Sequence, residues 1–195
     1  MASGCSVGRN KGAILFPDDT FVSPQHAAFR VKDGHLYVRD EQSVSGVFVS
    51  IPQQENIPIL GSFCAGQRLF RYLGSVERRP AEPGRALTYG APVPLGSILY
   101  ALEEILVGGR SGRIFTSPGP ILTLGLAGCD LSFPSDVGMA SRHCELSPLP
   151  NGALLRDLSG GLGTFVRLQP QQERLLHGGD RVRIGQQTLQ VEVSG

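Results

Sequence analysis

The sequence predicts an all-β protein built as two tandem β-sandwiches, and three features of the chain support this prediction. Glycine contributes 26 of the 195 residues and proline 14, which together well exceed the roughly 12% that these two residues average in proteins. Apolar residues fall in short alternating runs bounded by turn residues, and few runs are long enough to form helices. The chain also repeats itself along its length, which indicates two copies of one fold.

The repeat becomes visible when the chain is aligned with itself at an offset of 117 residues. "LFPDDTFVSPQH" then lies over "SFPSDVGMASRH", and identities continue without a gap on both sides. Chance would give roughly three identities over such a window, so the preserved spacing implies preserved loop lengths. The identical pairs are Gly8/Gly125, Phe16/Phe133, Pro17/Pro134, Asp19/Asp136, His26/His143, Arg39/Arg156, Asp40/Asp157, Gly46/Gly163, Phe48/Phe165, Val49/Val166 and Gln54/Gln171.

Short strands account for most of each copy. "FRVKDGHLYVRD" alternates on both sides of Asp33-Gly34, which is a strong signal for a two-residue hairpin. "GVFVSI" and "GTFVRL" are rich in β-branched and aromatic residues with period two. "QRLFRYLG" and "GDRVRIGQQTLQVEV" are expected to close the two copies with further strands.

One segment, "SILYALEEILV", fits two structures. Its apolar residues Ile98, Leu102, Ile105 and Leu106 have near-helical spacing, and Ser97 could cap a helix. The same residues could form the long first strand of the second copy. The pattern alone favours the helix.

The predicted domain boundaries follow the repeat. The first sandwich covers residues 1–76, a linker rich in Pro, Gly and charge covers 77–97, and the second sandwich covers 98–195. The second copy has strand-forming segments before Gly125, whereas only "MASGCSV" precedes Gly8. The first sandwich is therefore expected to lack its N-terminal strands. Either the chain is a fragment or its start is misplaced, or the linker or a second subunit, as in a homodimer, fills the gap.

Composition excludes several classes of function. A net charge of +1 provides no basic field for nucleic acid. No apolar run is long enough to span a bilayer, and no signal peptide is present, so no membrane partner is expected. The cysteines, Cys5, Cys64, Cys129 and Cys144, lack metal-site spacing and suggest a reducing compartment, so we expect a soluble cytoplasmic protein without metal or cofactor.

The repeated motifs resemble the forkhead-associated (FHA) domain. The first copy matches through Gly8-Arg9, the Ser-x-x-His of Ser23 to His26, and "DEQSVSGVFV"; the second matches through "LGLAGCDLSF", "ASRHC" and "DLSGGLGTFV". The resemblance covers nearly the whole chain outside the linker and is to a tandem FHA protein of bacterial type. It implies a β-sandwich whose loops bind phosphothreonine in a partner protein. It also favours the strand over the helix for "SILYALEEILV".

The resemblance implies roles for particular residues of the first copy. Arg9 provides a planar fork suited to phosphate, and Ser23 and Ser45 provide hydroxyl groups. Val44 stands where the family usually has Thr, and Ser45 stands where it usually has Asn. Pro24 removes another frequent donor. The structural positions of the motif are Gly8, His26 and Gly46 in the first copy and Gly125, His143 and Gly163 in the second.

The second copy keeps the scaffold residues but loses the polar ones. Leu126, Ala140 and Leu162 stand at the positions of Arg9, Ser23 and Ser45, so each phosphate-facing group becomes apolar. Placing a phosphate dianion against leucine would cost several kcal/mol. Ser141 and Arg142, one position along, are an alternative source of phosphate contacts.

The resulting hypothesis is a phosphothreonine-dependent interaction module in Ser/Thr-kinase signalling, with the first copy as reader and the second as a structural partner. The alternative is a phosphate-independent scaffold or oligomerisation protein. An enzyme is not expected. Although Gly4 to Gly8 spells G-x-S-x-G, a nucleophile elbow needs a strand before the serine and a helix after it, and neither is predicted here.

Overall fold

The computed structural model describes residues 4–77, 84 and 98–193 and contains no α-helix within them, which confirms the all-β fold. One 3-10 turn lies at Val107–Gly109. The first repeat contributes β1 (Gly4–Gly8), β2 (Ile14–Leu15), β3 (Ala27–Lys32), β4 (His35–Asp40), β5 (Val47–Ser50), β6 (Gln54–Pro58), β7 (Ser62–Ala65) and β8 (Arg68–Glu77). The second contributes β9 (Ile98–Leu106), β10 (Arg110–Ser117), β11 (Leu122–Gly125), β12 (Leu131–Ser132), β13 (Cys144–Leu149), β14 (Gly152–Asp157), β15 (Thr164–Arg167), β16 (Glu173–Leu176), β17 (Arg181–Ile184) and β18 (Gln187–Gln190).

The strands form three sheets. One five-stranded sheet has the order β16-β4-β3-β1-β2, and the other has the order β12-β11-β13-β14-β6. A long eight-stranded sheet has the order β10-β9-β8-β7-β15-β5-β17-β18. The two small sheets cover the same face of the long sheet, because the paired residues Val49, Val166 and Val182 contribute to both cores from that face.

The two repeats exchange their later strands. In the first sandwich, β1 to β5 come from the first repeat, but β16, β17 and β18 come from the second. In the second sandwich, β6, β7 and β8 come from the first repeat and complete the strands of the second. The sequence division at residues 76 and 98 thus describes the repeats along the chain, whereas each sandwich takes strands from both sides of it.

The exchange takes place at β5 and β15, which lie side by side in the centre of the long sheet. Val49 pairs with Val166, its own partner in the repeat, so a pseudo-twofold axis passes between them. Beyond this point each chain segment enters the other sandwich. Ile51 packs into the core of the second sandwich, and Leu168 packs into the core of the first.

The repeated aspartates fasten the exchanged hairpins. Asp19 accepts the N–H of Gln186 at 2.7 Å, at the β17–β18 turn, and Asp136 accepts the N–H of Gln67 at 3.2 Å, at the β7–β8 turn. Each carboxylate belongs to one repeat and each turn to the other. Burial alone would raise the pKa of Asp19, but the N–H donors of Gln186 and Phe21 outweigh burial and hold this pKa below its ordinary value.

Local predictions agree with these elements. Asp33 and Gly34 have positive φ values of 50° and 76°, as a type I′ turn between β3 and β4 requires. Within "SILYALEEILV", Ile98–Leu106 form the strand β9 between β8 and β10, so the helix favoured by the pattern is wrong. The predicted linker at 77–97 falls almost wholly outside the described residues.

The two ends of the long sheet differ in the number of strands that they contain. β8, the counterpart of β18, pairs along its outer edge with β9, and β9 pairs with β10. Among the described residues, no strand pairs with the outer edge of β18. That the first sandwich lacks N-terminal strands stays a prediction.

Candidate functional site

Three loops meet at one end of the first sandwich: β1–β2, β2–β3 and β4–β5. The backbone N–H of Arg9 donates to Ser23 O at 2.9 Å, and the N–H of Lys11 donates to Pro24 O at the same distance. Gly8 precedes this contact, and a Cβ at that position would collide with the Pro24 and Lys11 carbonyl oxygens. A glycine is therefore needed for the first two loops to approach each other.

His26 joins the second loop to the third from inside the sandwich. The imidazole is fully buried; its Nδ1 accepts the Ser23 N–H at 2.9 Å. Nε2 must then carry the proton, which it donates to Gly46 O at 3.0 Å. Burial lowers the pKa of His26 below its ordinary value, so the ring is neutral and positions the loops rather than attracting an anion.

At this end of the sandwich the loops form a surface that we call the first loop rim, which consists of Arg9, Ser23, Val44, Ser45 and Gly46. Val44 is exposed, Gly46 is buried and the other three residues are half-buried. Ser23 Oγ accepts the Val44 N–H at 3.0 Å, and among the described residues its own hydroxyl hydrogen has no acceptor. Ser45 Oγ already donates to Phe21 O at 2.7 Å. The Val44 side chain is 88% exposed. Of the two rim hydroxyls, Ser23 is therefore the available donor.

A groove of about 1170 Å³ runs beside the first loop rim. All five rim residues line it, together with Phe21 and residues of the long sheet. Arg9 is half-buried at the groove wall and has no carboxylate within 4.0 Å among the described residues. An arginine that is partly withdrawn from water and has no internal acid is suited to an external anion.

The third loop is supported by Asp40, which is fully buried. Its Oδ1 accepts the Ser43 N–H at 2.8 Å, and Ser43 Oγ in turn accepts the Gly46 N–H at 3.0 Å. Gly46 has a φ of 91°, a conformation that favours glycine. The Oδ2 atom of Asp40 is buried and has no hydrogen-bond partner within the described part of the chain.

The second sandwich reproduces this scaffold. His143 Nδ1 accepts the Ala140 N–H at 3.1 Å, and its Nε2 donates to Gly163 O at 3.1 Å. The Leu126 N–H donates to Ala140 O at 3.0 Å, as the Arg9 N–H does to Ser23 O in the first. Gly125 again lies where a Cβ would strike the opposite loop, at Ser141 O.

The second loop rim, consisting of Leu126, Ala140 and Leu162, has no polar side chain. Leu162 is 50% exposed, and Leu126 packs in part against the core of the second sandwich. The alternative donor Arg142 is already in an ion pair, with Nη2 2.9 Å from Glu145 Oε2. The rim therefore has the geometry of the first without its polar groups.

Two arginines at the groove were not among the sequence candidates. Arg167 and Arg183 line the same groove as the first loop rim, although both belong to the second repeat along the chain. They lie beside the first sandwich because β15 pairs with β5 at the centre of the long sheet and β17 crosses to the other edge of β5. No motif in the sequence marks them, since only the exchange of strands places them beside Arg9.

Other sites receive no support in the described residues. The G-x-S-x-G sequence lies wholly within β1 and forms no strand-to-helix elbow. The described residues contain no group of three or more potential metal ligands, and none of their helices is long and apolar enough to cross a membrane.

Burial raises the pKa of Cys64 to about 11 and raises that of Cys144 as well, so both are protonated core thiols.

The comparison with protein families agrees with this architecture. The family model described as FHA domain matches residues 5–59 and 109–185, which together form more than half of the chain. The chain matches none of the curated proteins. FHA domains are interaction modules that recognise phosphothreonine in other proteins, rather than enzymes. Two matched regions with three loops in the same arrangement show that this chain belongs to the FHA domain family as a tandem protein.

Proposed function

We propose that the first loop rim binds phosphothreonine in a partner protein and that the second sandwich is a structural partner without phosphate chemistry. The observation that carries this proposal is the half-buried Arg9 at the groove wall, for which the described residues provide no carboxylate within 4.0 Å. A phosphothreonine brings about −1.5 to −2 charges and three strong acceptor oxygens. Arg9 would supply the fixed cation that such a group needs.

The remaining rim residues would supply neutral donors. Ser23 would donate its free hydroxyl hydrogen to a phosphate oxygen while still accepting the Val44 N–H. Ser45 would have to give up its hydrogen bond to Phe21 O before it could donate to a ligand. Because Ser45 is also shorter than the asparagine usual in the family, we expect it to contribute less than Ser23.

The wider role follows from this chemistry. A reader of phosphothreonine acts downstream of a Ser/Thr kinase, so we propose that the protein recruits a phosphorylated partner in cytoplasmic signalling. The second loop rim presents leucine where the first presents Arg9 and Ser45. We propose that its sandwich serves to complete and hold the first, in keeping with the exchanged strands.

The second candidate function is a phosphate-independent scaffold or oligomerisation protein. It is favoured by the outer edge of β18, which has no paired strand among the described residues. Unpaired edges are templates for strand addition, including addition of a second copy to form a homodimer. This candidate requires no contribution from Arg9, so the same experiment separates the two functions.

Fluorescence anisotropy with a phosphothreonine peptide library and its unphosphorylated twin tests the proposal. A charge-assisted contact of about 1.5–3 kcal/mol predicts that Arg9→Ala weakens phosphopeptide binding about 10- to 150-fold. Lys11→Ala is the matched control, because Lys11 lies in the same loop but does not line the groove. We expect the control to change affinity by less than about threefold, within the range of an exposed charge.

Each other outcome would contradict the proposal. If phosphorylated and unphosphorylated peptides bind equally, the protein is not a phosphate reader. If Arg9→Ala binds as tightly as the unchanged chain, Arg9 is a surface charge without this role. If no library member binds, the scaffold is the better account, and sedimentation of the chain across concentrations would then reveal or exclude self-association.

A further inference from the structure

A row of three side chains crosses the long sheet next to the first loop rim. Phe48 on β5 pairs with Arg167 on β15 to one side and with Arg183 on β17 to the other. Residues directly opposite on neighbouring strands project from the same face. Phe48 belongs to a small cluster separate from the two sandwich cores, so this row lies on the face that the small sheets leave uncovered.

We propose that Arg167 and Arg183 form a subsite for the carboxylate side chains of Asp or Glu next to the phosphothreonine, so that the protein prefers acidic phosphothreonine segments. This inference rests on the proposed function and adds to it the chemical class of the bound segment. The subsite depends on how the repeats pair, because the second repeat places Arg167 on β15 and Arg183 on the exchanged β17 on either side of β5, in the sandwich that carries Arg9.

The two arginines are close enough to act on one segment. They flank β5 on either side, which places their backbones about 10 Å apart, twice the spacing between neighbouring strands. The Arg167 guanidinium lies against Gly46, a rim residue, where an added Cβ would strike it. Arg183 donates from Nη1 to Gly66 O at 3.2 Å, and its other donors have no partner within the described ranges. An extended peptide covers about 10 Å in three residues.

The positive charge of this row is not neutralised within the described residues. Neither Arg167 nor Arg183 has a carboxylate within 4.0 Å there, whereas Arg68 and Arg71, at the far side of the groove, pair with Glu104 and Glu103. The groove also contains Asp136, but this carboxylate already accepts backbone N–H groups and lies 3.5 Å from Arg68. Three arginines, Arg9 included, therefore face the groove without an ion-pair partner in the described part of the chain.

The opposite half of the molecule provides an internal comparison. The pseudo-twofold axis relates the row to Ser50, Phe165 and Cys64, which are paired across β5, β15 and β7. None of these three residues is an arginine, although Arg181 on β17 lies next to Ser50 and donates its backbone N–H to Ser50 Oγ. The Arg181 guanidinium lies against Gly163, where an added Cβ would strike it, and 5.3 Å from the centre of the Phe165 ring, but it does not line the groove. The row with two arginines thus lies on the side that also retains Arg9.

The test compares peptides that share one phosphothreonine. One peptide has neutral flanks, one has Asp or Glu within three residues on the amino side, and one has them on the carboxyl side. We expect one acidic arrangement to bind about 5- to 30-fold more tightly than the neutral peptide, as partly buried charge pairs allow. The preference should weaken as salt is raised, because screening reduces charge attraction.

The variants are Arg167→Gln, Arg183→Gln and their combination, with Arg181→Gln as the matched control on the same strand as Arg183. We expect the double variant to lose the acidic preference while its affinity for the neutral phosphopeptide changes less than about threefold. Arg181→Gln should keep the full preference. Thermal unfolding of each variant checks that the fold is retained.

The outcomes distinguish this inference from the proposed function. Binding that requires phosphate and Arg9 but is indifferent to acidic flanks overturns the subsite alone. A preference that survives in the double variant, or that disappears in Arg181→Gln, also overturns it. If the unchanged chain binds none of the phosphopeptides, both the subsite and the proposed function fail.

Discussion

Val47→Thr should stabilise the first sandwich, because it would supply a donor to a buried carboxyl oxygen that has none. Asp40 Oδ1 accepts the Ser43 N–H, but Asp40 Oδ2 is buried without a partner within the described residues. In the second repeat, Thr164 Oγ1 donates to Asp157 Oδ1 at 2.7 Å. Val47 occupies the repeat position of Thr164, and both residues are fully buried.

The expected magnitude follows from two opposing effects. A hydrogen bond to a charged acceptor contributes about 1.5–3 kcal/mol net, and loss of one buried methyl group costs about 1 kcal/mol. The free energy of unfolding should therefore rise by about 1 kcal/mol. For a chain of this length, such a change raises the Tm by about 2–4 °C.

Urea unfolding of the purified variants measures this change. An unchanged m-value would show that each variant exposes the same surface on unfolding as the unchanged chain. Val49→Thr is the control: Val49 is also fully buried, on the same face of β5, among apolar neighbours. An unpaired hydroxyl there should destabilise the protein by about 1–3 kcal/mol. If Val47→Thr destabilises the protein as much as the control does, Asp40 Oδ2 is not an unmet acceptor and the reasoning fails.

Two further predictions concern pH and the exchanged turns. Burial lowers the folded-state pKa of His26 and His143, whereas the unfolded value is about 6.5. The unfolded state therefore takes up more protons as the pH falls below about 6.5, and stability declines towards the lower folded pKa by at most about 1.4 kcal/mol per pH unit for each histidine. Urea midpoints from about pH 7.5 to about pH 5 measure the decline. Asp19→Ala leaves the Gln186 N–H without its acceptor and should cost about 1–3 kcal/mol, with faster hydrogen exchange of the Gln186 amide.

Controls for these predictions are available in the same chain. Replacing the two other histidines, His35 and His177, with glutamine should leave the pH dependence in place, and its disappearance in that variant would contradict the assignment to the buried pair. Asp18→Ala is the control for the turn, since Asp18 is the exposed neighbour of Asp19. Equal destabilisation by both aspartate variants would show that Asp19 does not act through Gln186.

The elements and loops of each repeat could be predicted because their signals are local. Asp33-Gly34 specifies a type I′ turn through two residues that accept positive φ. The shared spacing of His26 and His143 predicts that both occupy the same place, and their matching hydrogen bonds to Gly46 O and Gly163 O agree. Such features depend on residues near one another in the sequence, which an offset alignment preserves.

The exchange of strands could not be predicted from the same signals. Because the repeats are similar, β6 presents a compatible edge to either sandwich, and β16 does the same. Pairing within a repeat and pairing across repeats would bury related residues, so alternation along a strand cannot decide between them. The positions of Arg167 and Arg183 depend on this choice and were missed for that reason. β9 was ambiguous for a similar reason, since its strand structure depends on pairing with β8 and β10.

The exchanged strands also set the order in which this chain can fold during synthesis. Arg181 donates its backbone N–H to Ser50 Oγ, a residue 131 positions earlier. The strands β16, β17 and β18 must therefore leave the ribosome before the first sandwich can close. Until then the apolar core residues of β1 to β5 stay uncovered. Contacts so distant in sequence slow folding and prolong the exposure of apolar strand faces. We expect expression to depend on chaperones more strongly than for two sandwiches that each fold from a continuous segment.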